Sequence, residues 1–283
     1  MKNMESSYQT ADFDIIDYLT YSLEGIGERL RGPKPEHLAP KEYFICIGSA
    51  HTFGCFCEYP YSRLLKDLLN LEVLNLGFAG AGPEFLSEKL DNVIDKYINN
   101  SKFVVIQIVS ARGSSNSLFE RIKGGQKVIR RSDGKEVFTK KAYEELLKSG
   151  DRELVSKIVA ETRQTWLESY QQLLKKITVP KILFWFSTRQ PYYQESYKIA
   201  GNLWGGGFPQ LVNLNMVDSL REYTNNYVEC VSRKGLPQKL INRFTGKPTT
   251  RKGKTNTTND YYPSPEMHRE GAGVLEKVCR KYL

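Results

Sequence analysis

A seven-residue loop, GSAHTFG at positions 48–54, follows the apolar run YFICIG and contains the first cluster of reactive side chains in the chain. Ser49 and Thr52 supply hydroxyl groups, and His51 supplies an imidazole. Such a loop has three interpretations: the nucleophile turn of a serine esterase, a cradle of backbone N–H groups for a phosphate-bearing donor, or only a tight turn. The rest of the sequence has to discriminate between them.

The elements that would position this loop are five apolar runs separated by helical patterns: YFICIG, EVLNLG, KFVVIQIVS, KILFWFST and NYVECVS. This alternation predicts an α/β fold, a three-layer sandwich with a central, mainly parallel sheet and helices on both faces. In such a sheet the carboxyl ends of the strands share one edge, where ligands bind. The rule brings GSAHTFG, GFAGAG, SARGSSNS and STRQP to that edge.

We expect a single α/β domain over residues 1–283. Within it, residues 1–40 read as a peripheral N-terminal arm, 120–141 as a polar insertion and 230–260 as a basic segment. A helical pattern also extends from about residue 142 to 177. Neither an internal repeat nor a low-complexity linker divides the chain.

Charge and composition restrict the partners. The net charge is +9, and eight Lys or Arg residues and no acid lie between Cys230 and Asn259. This favours an anionic partner, and a solvated basic surface or a small polyanionic ligand would explain the cluster equally well. No nucleic-acid-binding motif or membrane-length apolar run is present. The N-terminus lacks the apolar core of a secretory signal. The five cysteines follow neither a disulfide nor a metal-binding pattern, so we expect a cytoplasmic protein without a metal, of unknown oligomeric state.

The order GSAHTFG, NLGFAGAG and a late PSPEMH resembles the SGNH/GDSL hydrolase superfamily. The resemblance implies a nucleophilic serine in the first block and His268 as the general base. Counted from the two glycines of the first block, however, Ser49 takes the place of the family's aspartate and Ala50 that of its nucleophile. Pro265 stands where the carboxylate that orients the histidine belongs. An SGNH-type esterase or acyltransferase, or a catalytically inactive binding protein on that scaffold, is therefore the alternative function.

The layout of the loops is also similar to that of PAPS-dependent sulfotransferases, although the lysine usual in their first loop is missing here. The whole chain resembles a bacterial family that includes cyanobacterial natural-product sulfotransferases, such as that of the saxitoxin pathway. This resemblance implies that the 3′-phosphoadenosine 5′-phosphosulfate donor (PAPS) binds at Ser49, Thr52, Arg112, Ser115, Ser117, Arg251, Lys252 and Gly253.

The sulfotransferase resemblance implies direct in-line transfer of a sulfuryl group from PAPS to a hydroxyl or amine of a small-molecule acceptor. The protein would position donor and acceptor, neutralise the leaving phosphate and remove the acceptor's proton. His51 is the base that the sequence favours, and His268 and Glu58 are the alternatives. This is the main function that the sequence predicts.

Overall fold

A five-stranded parallel sheet runs through the centre of the molecule. The computed structural model describes residues 7–122 and 125–283. Its strands are β1 (Tyr21–Ser22), β2 (Arg29–Leu30), β3 (Tyr43–Gly48), β4 (Glu72–Gly77), β5 (Val104–Gln107), β6 (Phe119–Arg121), β7 (Lys127–Arg130), β8 (Lys135–Phe138), β9 (Lys181–Ser187), β10 (Asn226–Val231), β11 (Gln238–Lys239) and β12 (Thr258–Asn259). The five runs that the sequence marks as buried strands form the central sheet, in the order β10-β9-β5-β3-β4.

Helices connect these strands. They are α1 (Ser7–Asp12), α2 (Ala50–Phe53), α3 (Tyr61–Leu69), α4 (Pro83–Leu90), α5 (Thr139–Lys148), α6 (Arg152–Lys176), α7 (Ala200–Leu203), α8 (Leu214–Arg221) and α9 (Pro265–Cys279). Asp91–Val93 and Arg280–Tyr282 are 3₁₀ turns, and Ile94–Ile98 is one π-helical segment.

Alternate side chains of each central strand enter two separate cores. Ile45 and Ile47 of β3 pack with α4, α6 and α8, whereas Phe44 and Cys46 pack with α3 and α9. Successive residues of a strand point to opposite faces, so a strand buried on both faces has a continuous apolar run. The predicted three-layer α/β sandwich is confirmed.

The strand order places a switch point between β3 and β5. From β3 the chain passes to β4 on one side, whereas β5 lies on the other side and leads on to β9. The loops that follow β3 and β5 therefore diverge and leave a crevice at the carboxyl edge of the sheet. This crevice is where the fold itself would hold a ligand.

The helical region predicted for residues 142–177 consists of two helices, α5 and α6. Gly150 adopts a φ of +74°, a left-handed conformation that ends α5. Asp151 then begins α6, because its carboxylate accepts a hydrogen bond from the Leu154 N–H at 2.9 Å.

The peripheral segments have some regular structure of their own. In the arm, α1 precedes the short β1–β2 hairpin. Residues 1–6 of the arm lie outside the described residues. The polar insertion contains the antiparallel β6-β7-β8 sheet and the start of α5, except for residues 123–124, which are likewise not described. The basic segment contains the β11–β12 pair. Among the described helices none is long and apolar enough to cross a membrane.

Candidate functional site

A cavity of about 530 Å³ opens at the switch point of the sheet and is here called the switch-point cavity. The loops after β3, β4 and β5 form part of its wall through Ser49–His51, Gly80–Gly82 and Arg112–Ser114. The remaining wall comes from the N-terminal arm, α4, the insertion, the basic segment and the segments around Phe208 and Tyr261. The cavity thus lies where the strand order predicts a ligand.

Two glycines press the first loop against the sheet. A Cβ on Gly48 would lie 2.2 Å from Thr52 Oγ1, and a Cβ on Gly77 would lie 2.2 Å from the Phe53 nitrogen. These residues face each other as a pair in the register of β3 and β4. Gly54 ends α2 with a φ of +84°. The short helix α2 therefore has a fixed position over the carboxyl ends of β3 and β4.

The side-chain amide of Gln107 at the end of β5 binds the loop hydroxyls. Its Oε1 accepts hydrogen bonds from the Ser49 N–H at 3.0 Å, from Thr52 Oγ1 at 2.8 Å and from Ser49 Oγ at 3.3 Å. Thr52 Oγ1 also bonds the Tyr61 hydroxyl at 2.9 Å and lies beneath the loop, outside the cavity wall. The Ser49 hydroxyl therefore donates to an amide oxygen, and no described histidine accepts its proton.

His51 forms part of the cavity wall within a group of aromatic rings. Its imidazole stacks on Phe208 with ring centroids 3.9 Å apart and meets the edges of Tyr261 and Tyr262. The residue is only 3% exposed, and burial lowers its pKa to about 3. His51 is consequently a neutral imidazole near pH 7, and its buried Nδ1 has no hydrogen-bond partner among the described residues.

His268 lies in the first turn of α9, fully buried and outside the wall of the switch-point cavity. Its Nδ1 accepts a hydrogen bond from the backbone N–H of Tyr61 at 3.1 Å. A backbone N–H can only donate, so in the neutral ring the proton resides on Nε2. Burial, with smaller effects of His51 and Arg31, lowers its pKa to about 3.

The tautomer of His268 is the reverse of the one that a serine triad requires. In a triad, Nδ1 donates its proton to a carboxylate and leaves Nε2 free to accept the serine proton. Here Nδ1 is the acceptor, and no carboxylate of the described residues forms a hydrogen bond or ion pair with this ring. Pro265 begins α9 where such a carboxylate would stand.

Arg112 extends into the wall of the cavity from the loop after β5. Its guanidinium lies 5.8 Å from the centre of the Trp204 ring, and within the described chain no carboxylate oxygen approaches it within 4.0 Å. Ser115 and Ser117, from the same loop, are outside the cavity wall: Ser115 Oγ donates to Glu84 at 2.9 Å, and the Ser117 N–H donates to Glu161 at 2.8 Å.

The basic segment contributes Arg251, whose Nε lies 2.6 Å from Asp12 Oδ1. This ion pair connects the segment to the N-terminal arm, and Asp12 helps to keep the pKa of Arg251 above its usual range even though burial acts in the opposite direction. Lys252 and Gly253 lie in an exposed turn outside the cavity wall. Lys254 does line the cavity, and its ammonium group forms no ion pair with a described carboxylate.

Of the eleven residues proposed from the sequence, the structure brings four together. The residues in the cavity wall are Ser49, His51, Arg112 and Arg251; those elsewhere are Thr52, Glu58, Ser115, Ser117, Lys252, Gly253 and His268. Ser114, one of the serines that follow Arg112 in SARGSSNS, also lines the cavity, as does Gln210, which the sequence did not indicate. Ser114 Oγ and Gln210 Oε1 are buried and have no described hydrogen-bond partner. Buried polar atoms are normally hydrogen-bonded, so two unpartnered ones in neighbouring wall residues are a departure from the usual pattern.

No group of three or more His, Cys, Asp or Glu side chains within the described ranges is arranged to hold a metal ion. All five cysteines are free and buried.

A family model described as a domain of unknown function, DUF6473, matches residues 4–122 and 135–283. No curated protein matches the chain. Among solved structures, a gut microbial diltiazem-metabolizing enzyme shares 12% identity at a TM-score of 0.45, covering 85% of this chain, which spans only 47% of that enzyme.

Two further solved structures are similar to this chain over nearly their own full length. A putative G-D-S-L family lipolytic protein from Desulfitobacterium hafniense DCB-2 has 13% identity and a TM-score of 0.40, with coverage of 84% of this chain and 99% of its own. The SGNH-hydrolase family esterase AlinE4 has 12% identity and a TM-score of 0.36, with coverage of 87% and 99%. All three TM-scores are below 0.5, so these likenesses carry no argument about the chemistry of the site.

Proposed function

We propose that this chain, which belongs to the DUF6473 family of domains of unknown function, binds a small anionic molecule with an aromatic or apolar part in the switch-point cavity. The observation that carries the proposal is Arg112. Its guanidinium lies in the cavity wall without an ion pair to any described carboxylate. A guanidinium presents a planar fork of donors that suits carboxylate, phosphate and sulfate groups.

Other groups in the wall support an anion with a specific orientation. Lys254 adds a second cation without a described ion-pair partner, and Arg251 adds a third whose charge Asp12 partly offsets. The unpartnered Ser114 Oγ can donate a hydrogen bond to a ligand, and Gln210 Oε1 can accept one. More than half of the lining residues are polar or charged, Glu84 and Asp260 included, so the wall can orient a polar ligand.

The aromatic side of the cavity supports a flat or apolar portion of the ligand. Phe208, with His51 stacked on it, and Tyr261 lie in the wall, together with Phe85. The volume of about 530 Å³ is within the range of small-molecule sites. A nucleotide-like anion such as PAPS combines these features, so it is the specific ligand to test first.

Sulfuryl transfer from PAPS is a further step that needs a base for the acceptor. His51 is the cavity-lining candidate, but burial lowers its pKa to about 3, so its imidazole is a weak base. A base is most effective when its pKa is near the working pH. Ligand binding is therefore the function that the geometry supports best, and transfer is the activity to test on it.

Serine hydrolysis has less support. The hydroxyl of Ser49 donates to Gln107, and the His268 ring has its acceptor nitrogen occupied by the Tyr61 N–H. A nucleophile and a base that do not share a hydrogen bond lack the central feature of a triad.

The proposal can be tested by thermal denaturation and calorimetry with 3′-phosphoadenosine 5′-phosphate (PAP), AMP and inorganic phosphate, each at matched ionic strength. A ligand at 100 times its Kd adds about 2.7 kcal/mol, which for this size is a rise in Tm of about 5 °C. Arg112→Gln should weaken binding about tenfold, since it removes one charge-assisted contact. The matched control is Arg221→Gln, an exposed arginine on α8 that pairs with Asp218, and it should bind like wild type.

The outcomes separate the candidate ligands. Stronger binding of PAP than of AMP would support recognition of the 3′-phosphate and therefore PAPS, and transfer from ³⁵S-labelled PAPS to a panel of hydroxyl and amine acceptors would then test the enzyme activity. Equal binding of PAP and AMP would support the anion site without that donor. Binding of none of the three anions, or equal binding by Arg112→Gln and wild type, would overturn the proposal. Labelling of Ser49 by a fluorophosphonate would contradict the argument against hydrolysis.

A further inference from the structure

A second cavity, of about 340 Å³, lies between the N-terminal arm, the loop after α2 and the start of α3. We call it the arginine cavity, because Arg31, Arg63 and Arg243 all line it. Its only acidic lining residues within the described ranges are Asp17 and Glu58. It shares no lining residue with the switch-point cavity.

Arg31 is a buried cation without a counter-ion. The residue is 2% exposed, and its guanidinium donates to three backbone carbonyl oxygens, those of Tyr18, Cys57 and Glu58. Its Nε has no partner, and the described part of the chain offers no carboxylate within 4.0 Å. Carbonyl groups satisfy donors but do not neutralise the charge, and a buried unpaired charge is unfavourable.

Arg63 and Arg243 add two more guanidinium groups to the wall. Arg63 lies over the ring of Tyr59 at 4.4 Å and has no ion pair with a described carboxylate. Arg243 is 3.4 Å from Asp17 and stacks near Phe13 and Phe244. The cavity therefore brings together three positive charges, of which only that of Arg243 has an ion pair among the described residues.

We propose that the arginine cavity is a binding site for a tetrahedral dianion, a phosphate or sulfate group, either free or carried on a small molecule. Guanidinium forks recognise such oxyanions through paired N–H donors, and Arg63 is the side chain free to supply them. The dianion would also offset the charge of Arg31 behind it. Ile15, Ile16 and Leu19 give the same cavity an apolar wall that would contact the carbon part of an ester.

The test is isothermal titration with inorganic phosphate in the Arg112→Gln background, in which the switch-point cavity binds about tenfold more weakly. Sodium chloride at matched ionic strength is the blank, and phenyl phosphate is titrated in parallel. We expect saturable binding of phosphate, and Arg63→Gln should weaken it about tenfold. Arg221→Gln, remote on α8, should not change it.

Tighter binding of phenyl phosphate than of inorganic phosphate would assign the site to an ester, and the reverse order would assign it to the free ion. The proposal is overturned if phosphate gives no more heat than sodium chloride, or if Arg63→Gln binds as tightly as its parent. The Arg63 side chain stacks on the Tyr59 ring and makes no hydrogen bond or ion pair with a described side chain, so its replacement removes no polar contact of the fold. A negative result for the arginine cavity would leave the proposal for the switch-point cavity standing, because that proposal is tested by comparing ligand binding of wild type and Arg112→Gln.

Discussion

Acidification from pH 7.5 to 5.5 should destabilise the protein by about 3 kcal/mol, because two histidines are buried as neutral rings. His51 and His268 have folded-state pKa values of about 3, against the usual 6.5. Between these values the unfolded chain binds more protons than the folded chain, so stability falls as the pH falls. At pH 5.5 each histidine contributes RT ln(1 + 10), or about 1.4 kcal/mol, to this loss. Above about pH 7 the effect vanishes.

The measurement is the free energy of unfolding in urea at the two pH values, followed by tryptophan fluorescence. His268→Asn should lose only about half as much as wild type, since its amide oxygen can still accept the Tyr61 N–H while the titrating group is gone. His37→Gln is the matched control, because His37 is exposed, and its loss should equal that of wild type. A wild-type loss below about 0.5 kcal/mol, or an equal loss in His268→Asn, would refute the reasoning.

Two further pairs of variants test the framework of the site by the same urea measurement. Asp12→Ala should lower the free energy of unfolding by about 3 kcal/mol, because it leaves the largely buried Arg251 without its partner, whereas the exposed Asp14→Ala should change it by less than about 0.5 kcal/mol. Equal effects would contradict the importance of the pair. Gly77→Ala should cost about 2–3 kcal/mol because its Cβ would meet the backbone of α2, whereas Gly273→Ala, with open space around it in α9, should add about 0.5–1 kcal/mol. A mild effect of Gly77→Ala would show that α2 can move.

The sheet could be predicted from the sequence because buried parallel strands have a strong local signal. The inner strands β3, β5 and β9 are nearly continuous apolar runs, and the alternation with helices leaves few topologies. The insertion had no such signal: β6, β7 and β8 are three or four residues long and largely polar. The helical region at 142–177 was predicted from its apolar periodicity, which does not show the break at Gly150 between α5 and α6.

The candidate site could be predicted only in part. The rule that loops at the carboxyl ends of strands converge is enough to bring Ser49, His51 and Arg112 together. Gln107 had a readable signal, because a polar residue in an otherwise apolar strand must find hydrogen bonds when buried. The ion pair between Arg251 and Asp12 has no signal in the sequence, because tertiary packing brings together two residues from opposite ends of the chain.

Two independent contacts are incompatible with acyl-enzyme chemistry at the loop 48–54. Gln107 Oε1 accepts a hydrogen bond from the Ser49 hydroxyl, and the Tyr61 N–H donates to His268 Nδ1, the nitrogen through which a triad orients its base. A single substitution at Ala50 would add a hydroxyl but would correct neither contact. An anion site needs no such repair, because Arg112 and the unpartnered Ser114 Oγ already line the cavity. The same α/β topology can therefore support ligand binding after the geometry of the serine route has been lost, since function depends on the site and not on the fold.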